Sequence, residues 1–184
     1  GAFSPHGDIS TYDALAAMSQ PITMRYPLID FNGNNGNPLD DDPPAAYRYT
    51  ESKLTRIGYD MLENIDKNTV DFMPNFDNTK EEPVTLSGLI PNLLINGSSG
   101  IAVGMACNLV PHNISEVYDA LIYYIDQTIN GEDIDENKVF SIIKGPDFPL
   151  GGTIVGTSGI RSYFKTGRGS IIVRANYTTK ILKN

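Results

Sequence analysis

Arg48 and Tyr49 are adjacent in the sequence and follow the stretch Pro43-Pro44-Ala45-Ala46-Tyr47. A tyrosine oxygen can attack a phosphodiester and hold the broken end as an ester. The planar guanidinium of arginine suits a phosphate, to which it donates paired hydrogen bonds. A free tyrosine has a pKa of about 10, so about one molecule in a thousand is phenolate at neutral pH, and a nearby cation favours that form. The pair is therefore a candidate site for cleaving a nucleic-acid backbone.

Tyr47 is the alternative nucleophile, and the chain has 10 tyrosines in all. Most tyrosines in proteins are packing residues with a hydrogen-bonded hydroxyl. Two residues that are two positions apart on an α-helix point about 200° apart, so Tyr47 and Tyr49 cannot both reach one phosphate.

Four further residues, His6, Ser98, Ser99 and Ile101, are candidates for contacts with nucleic acid. His6 precedes a predicted helix start, where a histidine is commonly a surface or capping residue. Ile101 lies between glycines and follows Ser98 and Ser99. An isoleucine there is either a core residue or a wedge that unstacks a base step, and the serines could donate to phosphates.

Charge is unevenly distributed along the chain, whose net charge is -8. Residues 148–184 contain no acid and six basic residues, whereas the remainder has 8 basic and 22 acidic groups. The basic residues are Arg161, Lys165, Arg168, Arg174, Lys180 and Lys183. Two solvated faces of opposite sign would give the same distribution, so the charge neither supports nor refutes nucleic-acid binding.

Composition bounds the class of protein. The sequence contains no run of about 18 apolar residues, so it predicts no membrane span. The first residues do not resemble a secretory signal. The single cysteine, Cys107, excludes an internal disulfide and fits a reducing compartment. One cysteine and two histidines argue against structural zinc. The chain lacks an initiator methionine and stops within an apparent element, which predicts a piece of a longer protein.

The spacing of apolar residues predicts elements that alternate with loops. We expect Asp8 to cap a helix over 8–19. A second helix, from about 43 to 66, would start at Asp40, Asp41 and Asp42. The remaining regions before residue 113 are predicted as strand over 22–31, loop over 32–38, irregular chain over 70–87 and a glycine-rich apolar segment over 88–112.

Beyond residue 112 the patterns are clearer. A helix begins at Asn113, with Glu116 as its capping-box partner. We expect that helix to bury Val117, Leu121, Ile122 and Ile125. A shorter helix over 135–143 is ended by Gly145, and strands over 153–155 and 170–173 flank a helix over 158–164.

Several motifs together resemble one family. The string Ala45-Ala46-Tyr47-Arg48-Tyr49-Thr50-Glu51 resembles the active-site signature of the A subunit of bacterial type IIA topoisomerases, DNA gyrase and topoisomerase IV. Further segments resemble that family in its own order: Pro5-His6-Gly7-Asp8, residues 90–105, Pro111-His112-Asn113 and residues 145–149.

The resemblance implies an α+β fold and roles for particular residues. Residues 1–145 would form most of a winged-helix (CAP-like) cleavage domain, truncated at its N-terminus, and 146–184 the beginning of the α/β tower domain. Tyr49 would attack the DNA to form a 5′-phosphotyrosyl link, and Arg48 would stabilise the transition state. By the same resemblance, His6 contacts the scissile DNA, Ile101 intercalates, and the helix over 8–19 enters the major groove.

The resemblance also implies partners that this chain does not contain. The A subunit would be a homodimer that binds double-stranded DNA and joins two B subunits in an A2B2 complex. The B subunit would hold Mg²⁺ in its TOPRIM domain and hydrolyse ATP, so Asp40 to Asp42 are not expected to bind metal. The enzyme would be cytoplasmic and associated with the bacterial chromosome. The domain that distinguishes gyrase from topoisomerase IV is absent, so that choice stays open, and the segment by itself is expected to be inactive.

The chain departs from the family at two places. Ser4 stands where the family usually has a second histidine. Ile9 and Asp13 stand where it often has a serine and an acid that anchor quinolone drugs through a metal-bound water. Isoleucine cannot form that hydrogen bond, which predicts weak quinolone trapping. Two other function classes remain: a non-catalytic winged-helix DNA-binding module, and a metal-dependent hydrolase using His6 and Asp8.

Overall fold

The computed structural model of the chain describes residues 2–180. It shows a mixed α+β fold of helices and two-stranded antiparallel sheets, which confirms the predicted class at that level. The chain divides into two compact units, 1–96 and 97–184. The predicted domain boundary at 145/146 stays a prediction, and Lys183 lies outside the described residues.

The first unit contains two antiparallel hairpins and three α-helices within the described residues. In chain order its elements are α1 (Asp8–Ala17), β1 (Ile29–Asn32), a 3₁₀ turn (Tyr47–Tyr49), β2 (Glu51–Leu54), α2 (Arg56–Asp60), β3 (Phe72–Pro74), β4 (Glu81–Pro83) and α3 (Asn92–Asn96). β1 pairs with β2, and β3 pairs with β4. Ala16, Ile29 and Ile95 are its buried apolar residues.

α1 confirms the helix predicted over 8–19, although it ends at Ala17 and is capped differently at its start. The capping position is Gly7, and Asp8 is the first helical residue. A carboxylate in the first turn still interacts favourably with the helix dipole. The Ser10 hydroxyl donates to the Gly7 carbonyl oxygen at 2.9 Å.

The single helix predicted from about 43 to 66 is wrong. Its place is taken by the 3₁₀ turn, β2 and the short helix α2. β2 forms because β1 offers it a partner, with Ile29 opposite Leu54 and Asn32 opposite Glu51. Thr55 then starts α2, since its hydroxyl oxygen accepts a hydrogen bond from the Gly58 N–H at 3.1 Å.

Gly58 explains why α2 can pack so closely against the chain before β1. A Cβ atom at this position would lie 2.3 Å from the Leu28 carbonyl oxygen. The residues that precede β1 are therefore turns held against α2, and the strand predicted over 22–31 is limited to 29–32.

Residues 70–87 are not wholly irregular as predicted, because they include the β3–β4 hairpin. In its connecting loop, Thr79 donates to the Asp77 carboxylate from its hydroxyl at 2.6 Å and from its backbone N–H at 3.1 Å. These bonds hold the pKa of Asp77 below its usual range.

The second unit begins with a hairpin and continues with helices. In chain order its elements are β5 (Ser98–Ala102), β6 (Met105–Leu109), α4 (Ile114–Asn130), α5 (Glu136–Ile142), β7 (Thr153–Val155), α6 (Ser158–Thr166) and β8 (Ile172–Arg174). β5 pairs with β6, and β7 pairs with β8. The helices and strands predicted after residue 112 are thus confirmed, apart from shifts at their ends.

α4 confirms the predicted cap but corrects one detail of it. The Asn113 side chain accepts hydrogen bonds from the backbone N–H groups of Ser115 and Glu116. The Glu116 carboxylate does not complete a capping box. It accepts from the Lys144 backbone N–H at 3.1 Å and pairs with the Lys144 ammonium at 3.2 Å. Val117 is buried as predicted.

The other apolar residues that α4 was expected to bury remain substantially exposed. Leu121, Ile122 and Ile125 are 37%, 43% and 52% exposed, whereas Ala120 is buried. The core face of α4 is therefore narrower than its apolar pattern predicts. None of the helices described is both long and apolar enough to span a membrane.

Candidate active site

Tyr47, Arg48 and Tyr49 form a single 3₁₀ turn, named here the tyrosine turn. The Tyr49 N–H donates to the Ala46 carbonyl at 2.9 Å, and the Thr50 N–H donates to the Tyr47 carbonyl at 3.3 Å. The chain then passes directly into β2. Because the helix predicted from about 43 to 66 does not form here, Tyr49 is not near an α-helix N-terminus and a helix dipole does not contribute to this site.

Tyr49 is accessible to a large ligand, because 69% of its surface is exposed. The Arg48 guanidinium lies over its ring, with the central carbon 4.7 Å from the ring centroid, a cation–π arrangement. No carboxylate among residues 2–180 lies within ion-pair distance of Arg48. Both groups that would act on a phosphate are thus open to solvent and adjacent.

Tyr47 occupies a different environment from Tyr49. Its ring meets the Tyr12 ring edge-on, with centroids 6.1 Å apart, although 59% of Tyr47 is exposed. A 3₁₀ helix has about three residues per turn, so residues two positions apart point in different directions. One phosphate could therefore not be attacked equally by both hydroxyls.

The loop between β1 and the tyrosine turn packs against that turn. Gly33 has a φ of +117°, and a Cβ there would lie 3.3 Å from the Tyr49 carbonyl oxygen. The Ala45 N–H donates to the Asn34 carbonyl at 2.9 Å. A glycine at position 33 thus allows the loop to approach the backbone of the candidate nucleophile closely.

Asp40 and Asp42 stabilise this loop. The expectation that a helix starts at these residues is wrong. The Asn37 side-chain amide donates to the Asp40 carboxylate at 2.5 Å. The Asn34 amide donates to the Asp42 carboxylate at 3.2 Å, and Asp41 has a positive φ of 52°. Residues 2–180 contain no group of three or more His, Cys, Asp or Glu residues placed to hold a metal ion.

Three predicted site residues lie on α1 or just before it. His6 is exposed, and its backbone N–H donates to the Ser4 hydroxyl at 3.3 Å. Ile9 is 70% exposed, and Asp13 is also exposed. Ile9 and Asp13 are four residues apart on the helix, so they lie on the same face.

The second unit contains the other predicted DNA-contacting residues on the β5–β6 hairpin. Ile101 is 95% exposed, so it is not a core residue of the unit. Ser98 and Ser99 are exposed on the same strand. Ile101 faces Ala106 across the hairpin, close to its tip. An apolar side chain projecting from a hairpin has the form that an intercalating wedge requires.

Comparison with known proteins identifies the family. The sequence profile of the A subunit of DNA gyrase/topoisomerase IV matches residues 1–184. The chain belongs to this family. It is 54% identical to the DNA gyrase A subunit of Thermotoga maritima over 174 residues, 95% of this chain and 21% of that protein. It is 52% identical to the DNA gyrase A subunit of Rickettsia conorii over 174 residues, 95% of this chain and 19% of that protein.

A third relative covers the whole chain. The DNA gyrase A subunit of Rickettsia bellii is 48% identical over 184 residues, 100% of this chain and 20% of that protein. The chain thus spans about one fifth of the length of these gyrase relatives.

Two features of this gyrase-family chain escape prediction from its sequence. Val103 and Met105, at the tip of the β5–β6 hairpin, are 106% and 73% exposed. The run of small and apolar residues there gives no sign that the hairpin stands clear of the unit's core. The second feature is Tyr12, whose spacing from the apolar residues of α1 indicates packing alone. Its hydroxyl bonds to Ala45 and Thr50, which lie on either side of the tyrosine turn.

Proposed function

We propose that this chain is the DNA-cleaving segment of a type IIA topoisomerase A subunit. Residues 1–145 would form a winged-helix cleavage domain and 146–184 the start of the tower domain. The whole enzyme would break both strands of a duplex, pass a second duplex through the gap and rejoin the ends, driven by ATP. One observation supports this most directly: Tyr49 is exposed in a chain of this family, with the guanidinium of Arg48 over its ring.

The proposed reaction is a reversible transesterification. The Tyr49 phenol oxygen loses its proton and attacks the phosphorus, the bond from phosphorus to the 3′-oxygen breaks, and the 3′-oxygen takes up a proton. The 5′-phosphate is then esterified to Tyr49, and the reverse attack by the 3′-hydroxyl restores the strand. Arg48 would stabilise the extra negative charge on the phosphoryl oxygens in the transition state.

Other exposed residues would hold and shape the duplex. His6 would contact the scissile strand, and Ser98 and Ser99 would donate hydrogen bonds to nearby phosphates. Ile101 would insert between base pairs and kink the DNA, which its 95% exposure permits. Ile9 and Asp13 share the face of α1 on which a quinolone would dock.

The full reaction requires partners. A second A subunit would supply the tyrosine for the opposite strand, and B subunits would bind ATP and Mg²⁺. The Mg²⁺ would polarise phosphate oxygens near the cleaved bond.

Trapping a covalent complex tests the proposal. Full-length A and B subunits are incubated with supercoiled plasmid and Mg²⁺, and detergent is added during the reaction. Wild type should yield linear DNA bound to protein. Tyr49→Phe should yield none while DNA binding is retained, and Tyr47→Phe, the matched control, should behave as wild type. DNA binding without any adduct in wild type would instead indicate a non-catalytic module.

A further inference from the structure

The Tyr12 hydroxyl connects α1 to the residues on both sides of the tyrosine turn. It donates to the Ala45 carbonyl oxygen at 2.7 Å, across 33 residues of sequence. It also lies 2.8 Å from the Thr50 hydroxyl, across 38 residues. Ala45 precedes the turn and Thr50 comes after it, so one oxygen atom spans the segment that presents Tyr49.

Counting protons fixes the direction of these bonds. A tyrosine hydroxyl has one proton and can also accept. Because a carbonyl only accepts, the Tyr12 proton goes to Ala45, and the Thr50 hydroxyl must donate to Tyr12. The alternative acceptor for Thr50, the Tyr47 carbonyl oxygen, is more distant at 3.2 Å. The Thr50 hydroxyl therefore donates its proton to Tyr12 and the Tyr12 hydroxyl donates its proton to Ala45, so both protons are used in the two shorter hydrogen bonds.

The Tyr12 ring is held in place independently of its hydroxyl. Its centroid is 6.2 Å from that of Phe31 on β1 and 6.1 Å from that of Tyr47. Tyr12 is partly buried. Replacement by phenylalanine would thus keep the ring contacts and remove only the hydrogen bonds.

The tyrosine turn needs such external bonds because it is short. Its backbone is closed by the two hydrogen bonds that Tyr49 and Thr50 donate, and 3₁₀ geometry makes poorer bonds than an α-helix. A reacting group must be held close to its productive position, and a displacement of about 1 Å can cost about a hundredfold in rate.

We propose that Tyr12 is a positioning residue for Tyr49, acting through its hydrogen bonds to Ala45 and Thr50. The inference rests on the proposed function, since it requires Tyr49 to be the nucleophile. In this role the Tyr12 hydroxyl acts through the tyrosine turn and not through contact with the DNA. It sets where the tyrosine turn lies relative to α1, so its loss slows cleavage and leaves DNA affinity unchanged.

The test measures the rate of cleavage and DNA affinity separately in the complex of full-length A and B subunits. Tyr12→Phe should cleave a labelled duplex about tenfold more slowly at saturating DNA, as expected for a lost hydrogen bond at a positioned group. Its Kd for DNA should stay within about twofold of wild type. Tyr59→Phe is the matched control: Tyr59 is 59% exposed, and its hydroxyl has no hydrogen-bond partner among residues 2–180.

Variants of Thr50 test the same bond from its other end and do not alter the tyrosine. Thr50→Val should slow cleavage, but by less than Tyr12→Phe, because the bond from Tyr12 to Ala45 remains. Thr50→Ser, which keeps the hydroxyl, should cleave faster than Thr50→Val. The double variant Tyr12→Phe/Thr50→Val should cleave about as slowly as Tyr12→Phe alone, because Tyr12→Phe already removes the bond between Tyr12 and Thr50.

The outcomes separate the two claims. Absence of any covalent adduct with wild type would contradict the proposed function itself. If wild type forms the adduct and both Tyr12→Phe and Thr50→Val cleave at its rate, the positioning role is wrong. The role is also wrong if the variants lose DNA affinity in proportion to rate.

Discussion

Removal of the Arg48 guanidinium should slow DNA cleavage by about two orders of magnitude. Arg48 lies 4.7 Å from the centroid of the Tyr49 ring and has no carboxylate partner among residues 2–180. A unit charge about 5 Å from the phosphoryl group contributes about 3 kcal/mol at an effective permittivity near 20, as under a bound duplex. That energy corresponds to about two hundredfold in rate. In bulk water the same contact would be worth about 0.8 kcal/mol, or about fourfold.

The assay is single-turnover cleavage of a labelled duplex by full-length A and B subunits at saturating DNA. Arg48→Ala is compared with Arg56→Ala, a matched control whose guanidinium pairs with Asp60 at 3.2 Å on α2. Arg48→Lys should fall between wild type and Arg48→Ala, because an ammonium keeps the charge but loses the paired donors. If Arg48→Ala slows cleavage by less than about fourfold, Arg48 does not stabilise the transition state in a shielded site.

Two further predictions concern exposed side chains away from the tyrosine turn. Ile101→Ala should lower the equilibrium constant for DNA bending by about thirtyfold, since it removes about 2 kcal/mol of apolar contact with the bases. Bending is measured by fluorescence transfer between the duplex ends, with Val103→Ala as the equally exposed control. Equal bending by Ile101→Ala and wild type would contradict the role of Ile101 as a wedge. Ile9→Ser should lower the quinolone concentration for half-maximal trapped cleavage about tenfold, by restoring one hydrogen bond. Equal drug sensitivity of wild type and Ile9→Ser would contradict the view that the missing hydrogen bond at position 9 weakens quinolone trapping.

Elements specified by local signals could be predicted from the sequence. Asn113 caps α4 with its own side chain, and the apolar repeat after it is long enough to predict one helix. The β7–α6–β8 segment is similarly marked by short β-branched runs and glycines. These elements depend on residues close in sequence, so their local pattern suffices.

The segment from 43 to 66 could not be predicted because a non-local interaction decides it. Its apolar residues recur at three- and four-residue spacing, which suits a helix. Pairing of Leu54 with Ile29, 25 residues earlier, makes the first part a strand. The short helix that follows packs through Gly58 against Leu28 and ends at Asp60. Tertiary contacts here override the local pattern.

The candidate site divides in the same way. Arg48 and Tyr49 are neighbours in the chain, so their proximity was visible in the sequence. The solvent exposure of Tyr49, the 3₁₀ turn and the bonds of Tyr12 to Ala45 and Thr50 all depend on how distant segments fold together. A hydroxyl's partner that lies more than thirty residues away leaves no periodic signal.

Mass spectrometry of the trapped covalent complex tests the central claim most directly. Trypsin cleaves after Arg48 and Lys53, so it separates Tyr47 from Tyr49 and releases Tyr49-Thr50-Glu51-Ser52-Lys53. After nuclease digestion, a deoxynucleotide joined through phosphate should be found on Tyr49 in that peptide, or in its extension if the adduct blocks cleavage at Arg48. A nucleotide on Tyr47 or on any other residue, with Tyr49 unmodified, would contradict the assignment of the nucleophile.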